Sequence, residues 1–461
     1  MNSVKKILKY TFWGVLYTAL IAIVTVIVLV IIASLPSPPG RNTATTSPSS
    51  SLSFSTVMLD GTPFSEAEIS ADNGTSISGT DVFEPTTVVV TEQFIPEPSN
   101  TVTVEKVSAI EDELQSAIDS ISEKYNAAGV QVVIIKNGEL VGNSVYGYAI
   151  KEKTPMSNDI KIRIASISKV VLAMLIMRLS ECDRLDIDTD ISDYWNIPIR
   201  NSNHESTPIT MRQMLSHTSS ILTYGYGFSG NGELIRSRFL DGSCFGKSVP
   251  GEISSWNYNN YAFAALGITV EIATGETVNK LAVRYLFDPL SIDAAFGSGS
   301  ISDTDKLATI YTSDGSIGRS IEKQTHTLGS TYPGENGEEF PGGLTISAFD
   351  LAKLIMVLIN DGEYSGISIL SPESVALIES SQGRTGNFEQ CLPLRHRTNL
   401  YGEGELFYHT GSNFGVYSLI SYNPISGDGV VVLTTGASGQ TDTNDIYSIC
   451  GEISEYIYRH M

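Results

Sequence analysis

From Arg163 to Lys169 the chain reads Arg-Ile-Ala-Ser-Ile-Ser-Lys, then runs at once into an apolar stretch from Val170 to Met177. That boundary predicts a helix whose first turn carries Ser166 and Lys169 and whose body is buried. Residues three apart share one face of a helix. The ammonium of Lys169 can therefore reach the hydroxyl of Ser166, and the positive end of the helix favours negative charge developing there. A serine with a lysine on its own face is one way to make an alcohol nucleophilic without histidine. The same spacing occurs at Ser3–Lys6 and Ser320–Lys323, but neither opens an apolar helix of this kind in a folded domain.

With 461 residues, 41% of them hydrophobic, the chain can bury a large core in one big domain or two ordinary ones. Its formal net charge of −22 argues against nucleic acid and against adhesion to anionic lipid, where basic patches supply the attraction. Phe12 to Ala33 is apolar and uncharged, preceded by Lys5, Lys6 and Lys9. It is long enough to span a bilayer, which takes about 20 residues, and longer than the roughly 7–15-residue core of a cleaved signal. Lysines before the span, and only Arg41 soon after it, place the N-terminus in the cytoplasm and the rest outside. The expected organisation is a cytoplasmic tail over 1–11, a transmembrane signal-anchor over 12–34, a Ser/Thr/Pro-rich acidic linker over 35–104, and a folded domain over 105–461. Asn73-Gly74-Thr75 is a glycosylation sequon within the linker. Cys182, Cys244, Cys391 and Cys450 form no Cys-x-x-Cys pair, which leaves both disulfides and buried free thiols open.

Ile110, Leu114, Ile118 and Ile121 recur at helical spacing. Gly129 to Ile135 reads as a strand, Lys136-Asn137-Gly138 as a hairpin turn, and Glu139 to Tyr148 as its return. The aspartate-rich stretch Asp183 to Asp193 fails as an EF-hand. Counted from Asp186, its sixth and twelfth positions hold Ile191 and Ile197 where glycine and glutamate are needed, so a solvated acidic loop is expected. Helices are expected at Tyr261 to Ile272, Ala348 to Ile359 and Asp442 to Tyr458, and strands at Gly404 to Tyr408, Val416 to Tyr422 and Gly429 to Thr434. Together they predict an α+β domain. Its antiparallel sheet is flanked by N- and C-terminal helices and interrupted by a helical subdomain.

Two polar clusters could serve the serine. Tyr258-Asn259-Asn260 precedes the helix from Tyr261. A tyrosine near Lys169 can lose its proton more easily and relay protons, and an amide such as Asn260 can hold a substrate carbonyl. Read alone, the cluster is equally a capping asparagine beside a packing tyrosine. His409-Thr410-Gly411 ends one β-run and precedes another, where glycine would let a substrate backbone lie against the strand edge. His217, in Leu-Ser-His-Thr-Ser, reads as structural.

Taken in order, these segments resemble the serine β-lactamase-related superfamily, in the branch holding class C β-lactamases, D-alanyl-D-alanine carboxypeptidases, esterases and D-aminopeptidases. Ser166-Ile167-Ser168-Lys169 resembles its Ser-x-x-Lys box, and Leu185 to Tyr194 the loop after that box's helix. Ile209 to Ser219 is similar to its Thr-x-Arg-Gln-Leu-Leu-x-His-Thr-Ser segment. Tyr258-x-Asn260, with Gly267 nine residues on, fits the Tyr-x-Asn box. Pro341-Gly342-Gly343-Leu344 with Asp350-Leu351-Ala352 resembles a later segment, and His409-Thr410-Gly411 the third box. The resemblance runs from about Lys106 to the C-terminus.

It implies a β-lactamase/transpeptidase-like fold and a serine hydrolase working through an acyl-enzyme. Ser166 would be the nucleophile, with Lys169 and Tyr258 sharing general-base and general-acid work. Asn260 would hold the substrate amide, and His409 and Thr410 would face its carboxylate. The strand at Gly411 would lie beside the substrate, and the backbone N–H groups of Ser166 and Ser412 would form the oxyanion hole. No metal or other cofactor is implied, and the partner is a peptide or small-molecule substrate. The chain departs from the pattern twice. Trp256 stands at the expected spacing after Pro250-Gly251, which points to a short insertion before Tyr258. The third box opens with His409 rather than lysine, which weighs against strong β-lactamase activity. D-amino-acid or cell-wall-type peptides, or β-lactams, are the expected substrates. An esterase on the same machinery and a silent peptide-binding pseudoenzyme are the alternatives.

Overall fold

The structure is a computed structural model that describes residues 112–223 and 230–460. The chain divides into residues 1–90 and 91–461, and every described residue belongs to the second unit. The expected anchor at Phe12 to Ala33, the acidic linker and the Asn73 sequon lie outside the described residues. Among those described, no helix is long and apolar enough to cross a membrane.

Helix α1 (Asp112–Lys124) leads into strands β1 (Gly129–Lys136) and β2 (Glu139–Ile150), joined by the expected turn, with Asn137 and Gly138 both at positive φ. Helix α2 (Ser168–Glu181) follows, and α3 (Asn260–Thr274) stands in the helical segment between. The sheet resumes after α4 (Ala348–Ile359) with β3 (Arg395–Leu400), β4 (Glu403–Asn413), β5 (Val416–Asn423) and β6 (Asp428–Thr435), and α5 (Ser448–His460) closes the domain. The main sheet has nine strands, all paired antiparallel, with β3-β4-β5-β6-β1-β2 at its centre. The early and late parts of the described domain therefore meet, β1 lying against β6 from Gly129↔Thr435 to Ile135↔Gly429.

Both faces of that sheet are covered, which explains why its central strands are apolar at almost every position. Val130, Val132 and Ile134 of β1, with Val430 and Val432 of β6, pack under Ile118, Ile449, Ile453 and Ile457 of α1 and α5. The alternate residues Val133, Ile135, Val431 and Leu433 join the larger core, which holds α2, α3 and α4. Helix α2 is buried on every side from Ser168 to Met177, including Lys169. A second, three-stranded sheet made of Ala295–Phe296, Leu344–Ile346 and Ile162–Arg163 delivers the chain to the start of that helix.

Three expectations need correction. The acidic loop is tied down rather than merely solvated: Asp188 takes a two-point ion pair from Arg212 at 2.5 and 2.7 Å, and Asp190 pairs with Arg200 at 2.5 Å while capping Ile191–Trp195. The last helix begins at Ser448 because Asp442 turns the chain first, its Oδ1 accepting from the N–H groups of Asn444 and Ile446. His409-Thr410-Gly411 does not end a strand but lies inside β4, paired with Gly411↔Ser418 at its centre. The four cysteines are free thiols, three of them buried.

Candidate active site

Ser166 sits on a single tight turn, Ala165–Ile167, between the small sheet and α2. Ala165 is held at φ 52°, a left-handed conformation that costs a non-glycine residue roughly 1–2 kcal/mol. The surroundings over-determine it. Ile164 donates its N–H to Leu344 O at 2.9 Å and accepts from Ser418 Oγ at 2.8 Å. Ser168 Oγ donates to Ala165 O at 2.6 Å and accepts from Leu344 N at 3.0 Å. Gly411 of β4 completes the clamp: a Cβ there would stand 2.3 Å from Ser418 Oγ, 2.5 Å from Ile164 O and 3.2 Å from Ser166 N. The glycine is required because the strand presses on the nucleophile turn.

Lys169 is the second residue of α2, fully buried, with Nζ donating to Pro341 O at 2.6 Å. Burial, reinforced by the charge of Arg395, holds its pKa well below the ordinary lysine value. A lysine so depressed is available as a neutral base. Tyr258 meets it from the other side, its ring centroid 5.0 Å from Nζ and its hydroxyl hydrogen-bonded with Ser166. The expectation that Tyr258 ionises readily is corrected. Burial raises its pKa, outweighing the opposing effects of the Ser166 hydrogen bond and Arg395. Tyr258 is therefore a protonated phenol that can pass a proton along. Trp256, the residue at the competing spacing, is turned away to donate Nε1–H to Gln390 Oε1 at 2.8 Å.

Asn259, not Asn260, caps α3, accepting from Ala262 N at 2.9 Å. Asn260 is left half-buried as the first residue of the helix. His217 stands against the cluster, its ring 4.5 Å from Tyr258 and 5.1 Å from Phe263. Its Nδ1 accepts from Asn259 N at 3.2 Å, which holds the backbone just after Tyr258. This histidine is structural in kind, but the structure it supports is the site itself. Ser320, the competing serine, is spent as a helix cap, accepting from Lys323 N at 3.2 Å.

His409 is buried, with Nδ1 against Thr410 O at 2.7 Å. A carbonyl can only accept, so Nδ1 carries the proton. Burial and the charges of Arg395 and Lys169 hold its pKa well below the usual histidine value. A neutral imidazole supplies no charge to a carboxylate. The cation at this end of the site is Arg395, which the sequence reading missed. Its guanidinium stands 5.9 Å from the Tyr258 ring and 4.6 Å from the Phe388 ring. It pairs in register with Tyr408, immediately before the third box. Arg395 opens a short polar strand with no hydrophobic alternation, so no local pattern marks it.

Strand β3 begins at Arg395, and its pairing with β4 therefore reaches no further than Tyr408. From His409 to Asn413, β4 pairs with β5 on one side only among the described strands. An unpaired strand edge beside a half-buried serine and tyrosine and a buried lysine can receive an extended chain and present its carbonyl to Ser166.

Comparison with known proteins agrees with this arrangement. The family model described as Beta-lactamase matches residues 114–449. Penicillin-binding protein 4 of Amycolatopsis lactamdurans is 24% identical over 351 residues, 74% of this chain and 89% of that protein. Protein flp of Staphylococcus aureus is 27% identical over 187 residues, covering 38% of this chain and 37% of that one. The fold is shared with the D-amino acid amidase of Ochrobactrum anthropi, at a TM-score of 0.60 and 18% identity over 75% of this chain and 96% of that one. The chain thus belongs to the β-lactamase family and is a serine hydrolase of that group.

Proposed function

We propose that the chain cleaves peptides ending in a D-amino acid through an acyl-enzyme on Ser166, and that it works outside the cytoplasm from a membrane anchor. The observation that carries the substrate class is the unpaired edge of β4, with the Arg395 guanidinium at the end where a terminal carboxylate would lie. The match to a penicillin-binding protein and the shared fold of a D-amino acid amidase support the same class.

In the reaction, Ser166 Oγ bonds to the scissile carbonyl carbon and its proton passes to neutral Lys169. The carbonyl π electrons move onto oxygen, where the N–H groups of Ser166 and Ser412 hold the charge. Each such donor is worth about 3–4 kcal/mol in other hydrolases. As the C–N bond breaks, the leaving amine takes a proton delivered through Tyr258. Water then attacks the acyl carbon, gives up a proton to the same groups, and expels Ser166. Asn260 and Thr410 orient the substrate amide and carboxylate, while neutral His409 fills the space beside Lys169. The uncharged segment at Phe12 to Ala33 supports the anchor.

The test is release of free D-alanine from N-acetyl-D-alanyl-D-alanine, with the L,L isomer as control. Release from the D,D compound, absent in Ser166→Ala, is the expected result. Turnover of p-nitrophenyl esters without D-alanine release would replace the peptidase by an esterase. The anchor is tested apart, by whether the full chain stays in membranes through alkaline carbonate.

A further inference from the structure

The open edge of β4 has a second end. Arg395 marks the end at Tyr408, and past Asn413 the other end turns on Phe414, which is 46% exposed and held at φ 53°. A short hairpin, Ile310–Tyr311 paired with Ile317–Arg319, is pressed onto this turn. A Cβ on Gly415 would stand 2.0 Å from Tyr311 O, and one on Gly318 would stand 2.5 Å from Phe414 O. The hairpin places the Arg319 guanidinium 4.7 Å from the Phe414 ring centre. Arg319 also lies within electrostatic reach of Arg163 and Glu339, on the segments that carry Ser166 and hold Lys169.

The charge of Arg319 is poorly matched within the protein. Among the described residues Glu339 is the one carboxylate whose field reaches it, and Glu339 is already committed to Arg163 at 2.6 Å. The Nε of Arg319 is buried without a hydrogen-bond partner among the described residues. A half-buried guanidinium lying over an exposed aromatic ring, beside a substrate edge, is a ready site for a carboxylate flanked by methylene groups.

We propose that Arg319 and Phe414 form an acyl-side subsite that selects substrates carrying a second carboxylate on the acyl half, one or two residues before the scissile bond. This rests on the acyl-enzyme reading above, with Ser412 N–H at the scissile carbonyl. Phe414 lies two residues beyond Ser412, in the turn just past the strand, so at most about 7 Å of chain separates them. The preferred substrate is then dianionic, with its terminal carboxylate toward Arg395 and its acidic acyl group toward Arg319. A solvent-accessible cation of this kind gives a preference that salt weakens.

The experiment uses the full chain and two thioesters of 2-mercaptopropionate, N-glutaryl-D-alanyl and N-valeryl-D-alanyl, which differ only in a carboxylate in place of a methyl group. The wild type is expected to favour the glutaryl compound by about tenfold in kcat/KM, the size of one charge-assisted contact. The ratio should fall to within about twofold in Arg319→Gln, recover in part in Arg319→Lys, and shrink in about 0.5 M NaCl. Because both rates are read on one preparation, a fraction of misfolded enzyme cancels from the ratio. A wild-type ratio near one, or a ratio unchanged in Arg319→Gln, overturns the subsite while leaving the hydrolase standing. If neither thioester is consumed and Ser166 also fails to react with a fluorophosphonate, the acyl-enzyme reading falls and the subsite falls with it.

Discussion

At the residue scale the site works by withholding charge. Lys169, His217 and His409 are buried together, and burial holds each pKa well below its ordinary value. The Arg395 guanidinium adds to the depression of all three. The sign of its effect is testable. A nearby cation disfavours protonated Lys169, so removing it must raise the lysine pKa. Arg395→Gln is therefore expected to move the rising limb of the acylation rate to higher pH. A neutral fluorophosphonate is the probe, so that loss of a carboxylate contact does not intrude. An unmoved limb would show that Lys169 is not the base. A second consequence concerns substrate choice: with His409 neutral, Arg395 rather than the third box carries the positive charge at the end of the site where the proposed terminal carboxylate would lie.

At the scale of elements, the nucleophile turn is fixed by parts distant in sequence. Ser168 ties it to Leu344, Ser418 ties it to β5, and Gly411 lets β4 close over it. Helix α3, which starts just after Tyr258, is seated in the same way. Gly267 faces Phe340, and a Cβ there would lie 1.9 Å from Phe340 Cδ2. Gly267→Ala is expected to cost about 2–3 kcal/mol in a denaturant titration, the penalty for overpacking a filled core. A cost near zero would mean that Phe340 can swing aside. The sequence made α4, the central strands and the Ser-x-x-Lys turn legible because each follows from local periodicity or a short spacing. It hid whatever depends on partners far along the chain: the ion pairs of Asp188 and Asp190, the extension of β4 through the third box, and Arg395. Tyr258 could be placed, but the sign of its pKa shift could not, since burial outweighs the charges around it.

For the molecule as a whole, the formal charge of −22 makes an anionic substrate unwelcome at long range, yet screening confines that repulsion to about 8 Å at physiological salt. Acidity also leaves a mark on stability. Glu271, fully buried at the end of α3, has its pKa pushed up to about 7 by burial, although the N–H groups of Val278 and Gly334 hold it partly down. The folded state binds that proton more tightly than the unfolded chain, whose carboxyl titrates near 4.5. Its contribution to stability is complete below that value and is lost as pH rises through about 7, at most about 3 kcal/mol. Between about pH 5 and pH 8, wild-type Tm should therefore fall more steeply than that of Glu271→Gln. Parallel curves would refute it. The central claim, that this chain is a serine hydrolase acting through Ser166, is tested most directly by intact mass. The full chain is treated with a fluorophosphonate beside Ser166→Ala and Ser320→Ala. One adduct per chain, kept in Ser320→Ala and lost in Ser166→Ala, is the predicted result. An adduct that survives in Ser166→Ala would contradict it.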